Sequence, residues 1–227
     1  MKTRAGARRL ASFNYNGIAM ALIFAPPALT FLAALLGGFL AGSLPFSVWI
    51  GRRAAGVDVR QHGSRNPGAA NVWRTAGRLF GTLAGLADAA KGAAAVWLAW
   101  RLGLSDELAV WVGTAAVVGH DFSVFLGFRG GKGGATMLGV LACFIFPELL
   151  VVLAIWILMS LLHPARKFLW SIIALSVSPI LAAMTGRLPL PYFGAQPPRP
   201  APVVAAAALL VALLWSRVGP GLRRPVA

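Results

Sequence analysis

Two short stretches bring polar chemistry into an otherwise apolar chain. The first, HGSRNPGAAN at residues 62–71, sets Ser64, Asn66 and Asn71 beside the turn formers Gly63, Pro67 and Gly68. Small residues let successive backbone N–H groups converge on one point, and such concavities bind anions. The VWRTAGR that follows leads into a helix whose N-terminal end adds partial positive charge. By composition alone the same residues also make an ordinary turn-rich loop. The second stretch, FRGGKGGAT at 128–136, holds Lys132 between Gly130-Gly131 and Gly133-Gly134. Backbone can approach a ligand there while the ammonium meets its charge. It is not a nucleotide P-loop, because Leu126 stands where that pattern needs glycine and Gly133 where it needs Ser or Thr. Two glycine-rich basic loops suggest one anionic group shared between them.

Three polar features fall inside apolar runs. Ser43 precedes a helix-bending proline in AGSLP, where a serine can also simply bond back to its own helix. Asp88 and Lys91 are three residues apart, on one helical face. Charges inside a membrane are expensive, usually paired and often functional, although a structural pair fits the same spacing. His120-Asp121 closes a span near the second glycine loop; a lone histidine there is as readily structural as catalytic. No nucleophile, base and orienter occur together, no paired carboxylates suggest acid–base exchange, and no spacing fits zinc or haem. Neither a metal nor a cofactor is expected. Cys143 lies in an apolar run and can form no internal disulfide.

These residues must be held by membrane helices. A soluble domain carries about 25% charged residues; this chain of 227 has 12%, with 58% hydrophobic and a mean hydropathy of +0.75. The fold class expected is an all-α polytopic membrane protein, a compact bundle of about seven transmembrane helices. The candidates are 26–50, 79–101, 108–128, 135–147, 148–163, 168–186 and 202–218. Pro147-Glu148 divides 134–163 into two helices, with one kinked helix as the alternative. Residues 1–25 form an N-terminal extension, 26–218 the membrane domain and 219–227 a tail. MKTRAGARR looks like the start of a signal peptide, but Pro26-Pro27 and a further apolar run argue against cleavage.

Seven spans would place thirteen Lys and Arg on the face bearing both glycine loops and seven on the other, so the loop face is expected to be cytoplasmic. The net charge of +15 then reflects anionic lipid rather than nucleic acid, since no basic segment interleaves aromatics or carries a reading motif. No internal repeat points to a transporter.

GSLPF, DVRQHGSRNPGAANVWRTAG, DAAKG and GHDFSVFLGFRGGKGGAT occur in this order. Together they resemble the bacterial acyl-phosphate:glycerol-3-phosphate acyltransferases, the PlsY family, over roughly residues 40–140. The resemblance implies a seven-helix fold in the bacterial inner membrane, with its active face toward the cytoplasm. It implies acyl transfer from acyl phosphate to the 1-hydroxyl of glycerol 3-phosphate, giving lysophosphatidic acid without CoA. Bilayer lipid and the enzyme that produces acyl phosphate would be its partners. Carried over by position, Ser43, Arg60, His120 and Lys132 take catalytic roles. Gly63, Ser64, Asn66, Gly68, Asn71, Lys91, Gly130, Gly131 and Gly133 bind substrate, with Ala69 in the same loop.

The chain departs from the family pattern at Ala70 for a threonine, at Asp121 for an apolar residue and at Ser123 for proline. In the last span Val218 and Gly221 replace a histidine and an asparagine, and no glutamate follows. His120 and Asp121 are the nearest residues by type to compensate. A family member that binds anionic lipid without catalysis is the rival reading, and a phosphorylated-solute carrier a weaker one.

Overall fold

The computed structural model describes residues 27–163, together with Ile173, Val177 and 204–209. Its helices are α1 (Pro27–Ser43), α2 (Phe46–Ala55), α3 (Ala69–Ala76), α4 (Arg78–Arg101), α5 (Asp106–Asp121) and α6 (Gly134–Leu162), with a 3-10 turn over Val124–Leu126. No strand occurs among the described residues. Four stretches there are long and apolar enough to cross a membrane: Pro27–Ala55, Arg78–Arg101, Asp106–Leu126 and Gly134–Met159.

Small residues draw these helices together. Along α1, Thr30, Ala34, Gly38 and Gly42 are buried at intervals of four, while Leu29, Leu32, Leu36 and Leu40 remain exposed on the other side. A Cβ on Gly42 would collide with the Ala116 backbone, and one on Gly119 with that of Phe39, so α1 and α5 pack backbone to backbone in parallel. Close packing of small residues is the usual adhesive where lipid removes the hydrophobic drive between helices. On the opposite side, α4 and α6 also pack in parallel, with Gly92 against Thr136 and Trp100 against Phe144. Between these helices lies a core that includes Val96, Val112, Met137, Val140 and Leu141.

The first half of α4 extends past the end of α5. There it packs on α3, which turns back at Gly77 (φ 92°), and on α2 through a small cluster of Val48, Val59, Val72 and Ala84. Leu126 of the 3-10 turn joins this cluster, linking the segment after α5 to α2 and α3.

The expected division at Pro147-Glu148 gives way to the kinked alternative. One helix runs from Gly134 to Leu162, with a non-helical residue at Ile145 (φ −132°, ψ 41°). Proline lacks an N–H and its ring crowds the preceding turn, so the backbone yields just before it without ending the helix. The candidates 168–186 and 202–218, apart from Ile173, Val177 and 204–209, lie outside the described residues, as do 1–25 and the tail.

Candidate active site

The first span does not cross as one rod. Pro45 cannot donate to the carbonyl four residues back, and the chain breaks at Leu44-Pro45 before α2 begins. The amides of Val48 and Trp49 both turn to the Pro45 carbonyl, at 3.0 and 3.1 Å. Side chains from α4 and from the segment after α5 take up the carbonyls just before it. Lys91 Nζ donates to Leu44 O at 2.8 Å, and Ser123 Oγ donates to Ser43 O at 2.5 Å. The Ser43 hydroxyl reaches Phe39 O at 2.9 Å and Gly119 O at 3.2 Å.

Below the break lies a buried charge cluster. Lys91 Nζ is 3.0 Å from Asp88 Oδ1, and Ser47 Oγ donates to Asp88 Oδ2 at 2.6 Å. His120 Nδ1 stands 3.7 Å from the same Asp88 Oδ1, beyond a hydrogen bond but close enough for charge attraction. Asp88 thus faces α2, α4 and α5 at once. It sits ten residues into α4, about 15 Å along that helix. Asp88 and Lys91 side chains are 2% and 4% exposed, so each charge needs the other: removing one partner of a buried pair typically costs about 3–5 kcal/mol.

The loop between α2 and α3 is organised by two side chains. Asp58 receives the Arg60 amide at 3.0 Å, Arg60 Nε at 3.0 and 3.1 Å and a terminal Arg60 nitrogen at 2.6 Å. Arg52 adds a contact of 2.8 Å. Hydrogen bonds from Arg60, reinforced by Arg52, hold the Asp58 carboxyl well below the usual carboxylate range, and Asp58 in turn raises the Arg60 guanidinium. Asn71 is the second organiser. It donates to Val59 O at 2.6 Å and His62 O at 3.0 Å, and accepts from the Ser64 amide at 2.9 Å. Gly68 caps α3 by accepting the Asn71 amide at 2.9 Å. The turn places Gly63 (φ 58°) and Arg65 (φ 58°) in the left-handed region, which an arginine adopts only under constraint. Asn66 Oδ1 is buried without a hydrogen-bond partner.

The segment after α5 is tied down by its backbone instead. Gly130 N–H donates to Asp121 O at 3.1 Å and Gly131 N–H to His120 O at 3.0 Å, closing the end of α5. A Cβ on Gly131 would strike the His120 ring at Nε2, so that ring lies directly under the glycine backbone. Gly133 (φ 68°) starts α6, and Lys132 is exposed beside it. Because α4 and α5 are consecutive spans, both glycine loops stand at the same end of the bundle.

A family model described as glycerol-3-phosphate acyltransferase matches residues 32–224. The glycerol-3-phosphate acyltransferase of Synechococcus sp. (strain JA-2-3B'a(2-13)) is 46% identical over 164 residues, 72% of this chain and 80% of that protein. That of Aromatoleum aromaticum is 39% identical over 197 residues, 86% and 93% of the two chains. The chain belongs to the glycerol-3-phosphate acyltransferase family. The crystal structure of the family member PlsY (YgiH), an integral membrane enzyme in its glycerol 3-phosphate form, superposes with a TM-score of 0.73 at 30% identity, covering 86% of this chain and 91% of that one. Its lysophosphatidic acid form gives 0.72 at 29%.

Against this family frame the expected site residues divide into groups. Ser43, Lys91 and His120 gather at the helix break with Asp88, and Gly130, Gly131 and Gly133 close over His120 and Asp121. Arg60, Gly63, Ser64, Asn66, Gly68 and Asn71 belong to the other loop. Ser43 and Arg60 share no hydrogen bond or ion pair: one is sealed among backbone carbonyls, the other on Asp58. Asn71 and Lys91 have internal partners throughout, and the Gly130 and Gly131 amides are committed to α5. Asp88 Oδ1 lies 3.7 Å from His120 Nδ1, a carboxylate beside the histidine that comes from α4. Sequence reading passed over Asp58, although it lies two residues before Arg60, and Ser47, four residues after Ser43 across the break.

Proposed function

We propose that the chain transfers an acyl group from acyl phosphate to the 1-hydroxyl of glycerol 3-phosphate, releasing inorganic phosphate and lysophosphatidic acid. It is a membrane glycerol-3-phosphate acyltransferase. The observation that carries the finer reading is the pair of basic glycine-containing loops at one end of the bundle, one after α2 and one after α5. The reaction must gather two phosphate groups, and each charge-assisted hydrogen bond from Arg60 or Lys132 contributes about 1.5–3 kcal/mol. Asn66 Oδ1, buried and unpartnered, supplies an acceptor for a glycerol hydroxyl.

The hydroxyl oxygen attacks the acyl carbonyl carbon, the bond from that carbon to the phosphate oxygen breaks, and the departing phosphate takes the hydroxyl proton. No side-chain base is required. Ser43, Lys91 and His120 support the site from below, with Gly63, Ser64, Gly68, Asn71, Gly130, Gly131 and Gly133 shaping its two loops. A groove of about 880 Å³ between α2 and the start of α4 suits the acyl chain: Trp49, Ile50 and Leu83 give it an apolar floor, and Arg52 and Arg53 a basic rim. Phe46 borders this groove and lies 6.0 Å under Lys91 Nζ.

In this reading 26–218 is a seven-helix domain of the bacterial inner membrane, with 1–25 before it and a tail from 219. The loop face is cytoplasmic, near the enzyme that makes acyl phosphate. Purified protein given labelled glycerol 3-phosphate and palmitoyl phosphate should release labelled lysophosphatidic acid and phosphate. Binding of both substrates without product would favour a non-catalytic lipid binder, as the Val218 and Gly221 departures suggest. Flux of labelled glycerol 3-phosphate into vesicles would favour a carrier.

A further inference from the structure

Ser123 occupies a position where the family pattern has proline, and proline has no hydroxyl to donate. In this chain the Ser123 side chain is buried and its Oγ bonds to Ser43 O, 80 residues earlier, at 2.5 Å. The contact joins the end of α5 to the last residue of α1. Those two helices already pack through Gly38, Gly42 and Gly119, so their docking does not need it. The break does. Residues 43–45 lie between two helices, and a carbonyl buried there without a partner is costly. Its other supports are also side chains: Lys91 takes Leu44 O, and Ser47 on the far side is held by Asp88.

We propose that Ser123 is a positioning residue for the acyl-transfer reaction. By holding the Ser43 carbonyl it sets the orientation of the Ser43 hydroxyl and the height of the break over the Asp88–Lys91 pair. The inference rests on the acyltransferase reading and adds to it a residue particular to this chain. It also gives the serine-for-proline departure a physical purpose.

The test compares Ser123→Ala and Ser123→Thr with wild type in the same detergent, by kinetics and by amide hydrogen exchange. Loss of one buried hydrogen bond should lower kcat about tenfold in Ser123→Ala, leave KM for glycerol 3-phosphate within about twofold, and be largely restored in Ser123→Thr. Exchange at the amides of residues 46–49 should accelerate about tenfold in Ser123→Ala while residues 110–118 keep wild-type protection. The Ser43→Ala/Ser123→Ala double variant should be no slower than the poorer single variant, as for two groups acting as a unit. Wild-type kcat with unchanged exchange at 46–49 would overturn the proposal. So would acceleration spread evenly over the bundle with kcat intact per folded molecule, which marks a merely stabilising contact. If wild-type protein transfers no acyl group, the acyltransferase reading fails on that result. The exchange pattern then separately shows whether Ser123 holds the break, and unchanged protection at 46–49 sinks that claim too.

Discussion

The two glycine-containing loops at the site end of the bundle look alike in sequence and are built by opposite means. The loop from Val57 to Gly68 is held by side chains: Asp58 gathers Arg52 and Arg60, and Asn71 reaches back to Val59, His62 and Ser64. The loop from Gly127 to Gly133 is held by main chain, with Gly130 and Gly131 donating to the last carbonyls of α5. A loop built by side chains fails when a side chain is truncated. A loop built by backbone contact fails when a methyl group is added. Glycine therefore signifies a left-handed turn at Gly63, as it does at Gly127 and Gly133, and close approach to α5 at Gly130 and Gly131.

The largest effect expected from this contrast is at Gly130. Alanine there would drive its Cβ into the His120 carbonyl, which cannot move without unwinding α5. Gly130→Ala should lower kcat/KM about 100-fold or more, the scale of a displacement near 1 Å in a reacting group. Near wild-type turnover would refute the backbone account of this loop. Asn71→Ala is the matching truncation in the other loop. It strips two carbonyls and one amide of their partner, and should lower stability by about 3 kcal/mol. Denaturant or thermal unfolding in detergent would measure it, and a change under about 0.5 kcal/mol would show that water replaces the carboxamide.

Lys132 is an exposed basic side chain on the backbone-built loop, and the proposed function gives it a substrate phosphate. Lys132→Ala should reduce kcat/KM about tenfold, one charge-assisted contact. Lys132→Arg should recover only part of it, because a planar guanidinium differs from a compact ammonium. Unaltered kinetics in folded Lys132→Ala protein would remove the phosphate role.

The smallest effect is expected at Asp58, whose Arg52 and Arg60 partners are half-exposed. Asp58→Asn should raise KM about threefold, within the range of exposed ion pairs. The sign of its pH dependence follows from the lowered carboxyl in the fold. Its stabilisation is complete above the unfolded value near 4 and is lost as pH falls through the lower folded value. The wild-type loop should therefore remain protected from exchange near pH 4 and lose protection only as pH falls further, whereas Asp58→Asn should show no such acid-dependent change. Loss of wild-type protection between pH 7 and 5 would contradict this assignment.

Much of the site could be read from the chain because its signals are local. Gly63, Pro67 and Gly68 mark a turn by their backbone preferences, and Asp88 and Lys91 share a helical face by their spacing of three. The kink near Pro147 follows from proline's missing N–H, although residue types could not decide between a bend and a new helix. The partners of Lys91 and Ser43 were equally out of reach, because sequence spacing does not reveal which carbonyls a break leaves open.

Sequence alone determined the membrane class, the loops at one end and the family blocks, since each depends on composition or on residues close along the chain. Only tertiary structure decided that Asp88 serves α2, α4 and α5 together, that Asn71 faces inward, and that Ser123 bonds to a carbonyl 80 residues away. The reason is physical. A buried polar group takes whichever partner packing brings within hydrogen-bond reach, and in a helical bundle that partner usually belongs to another helix.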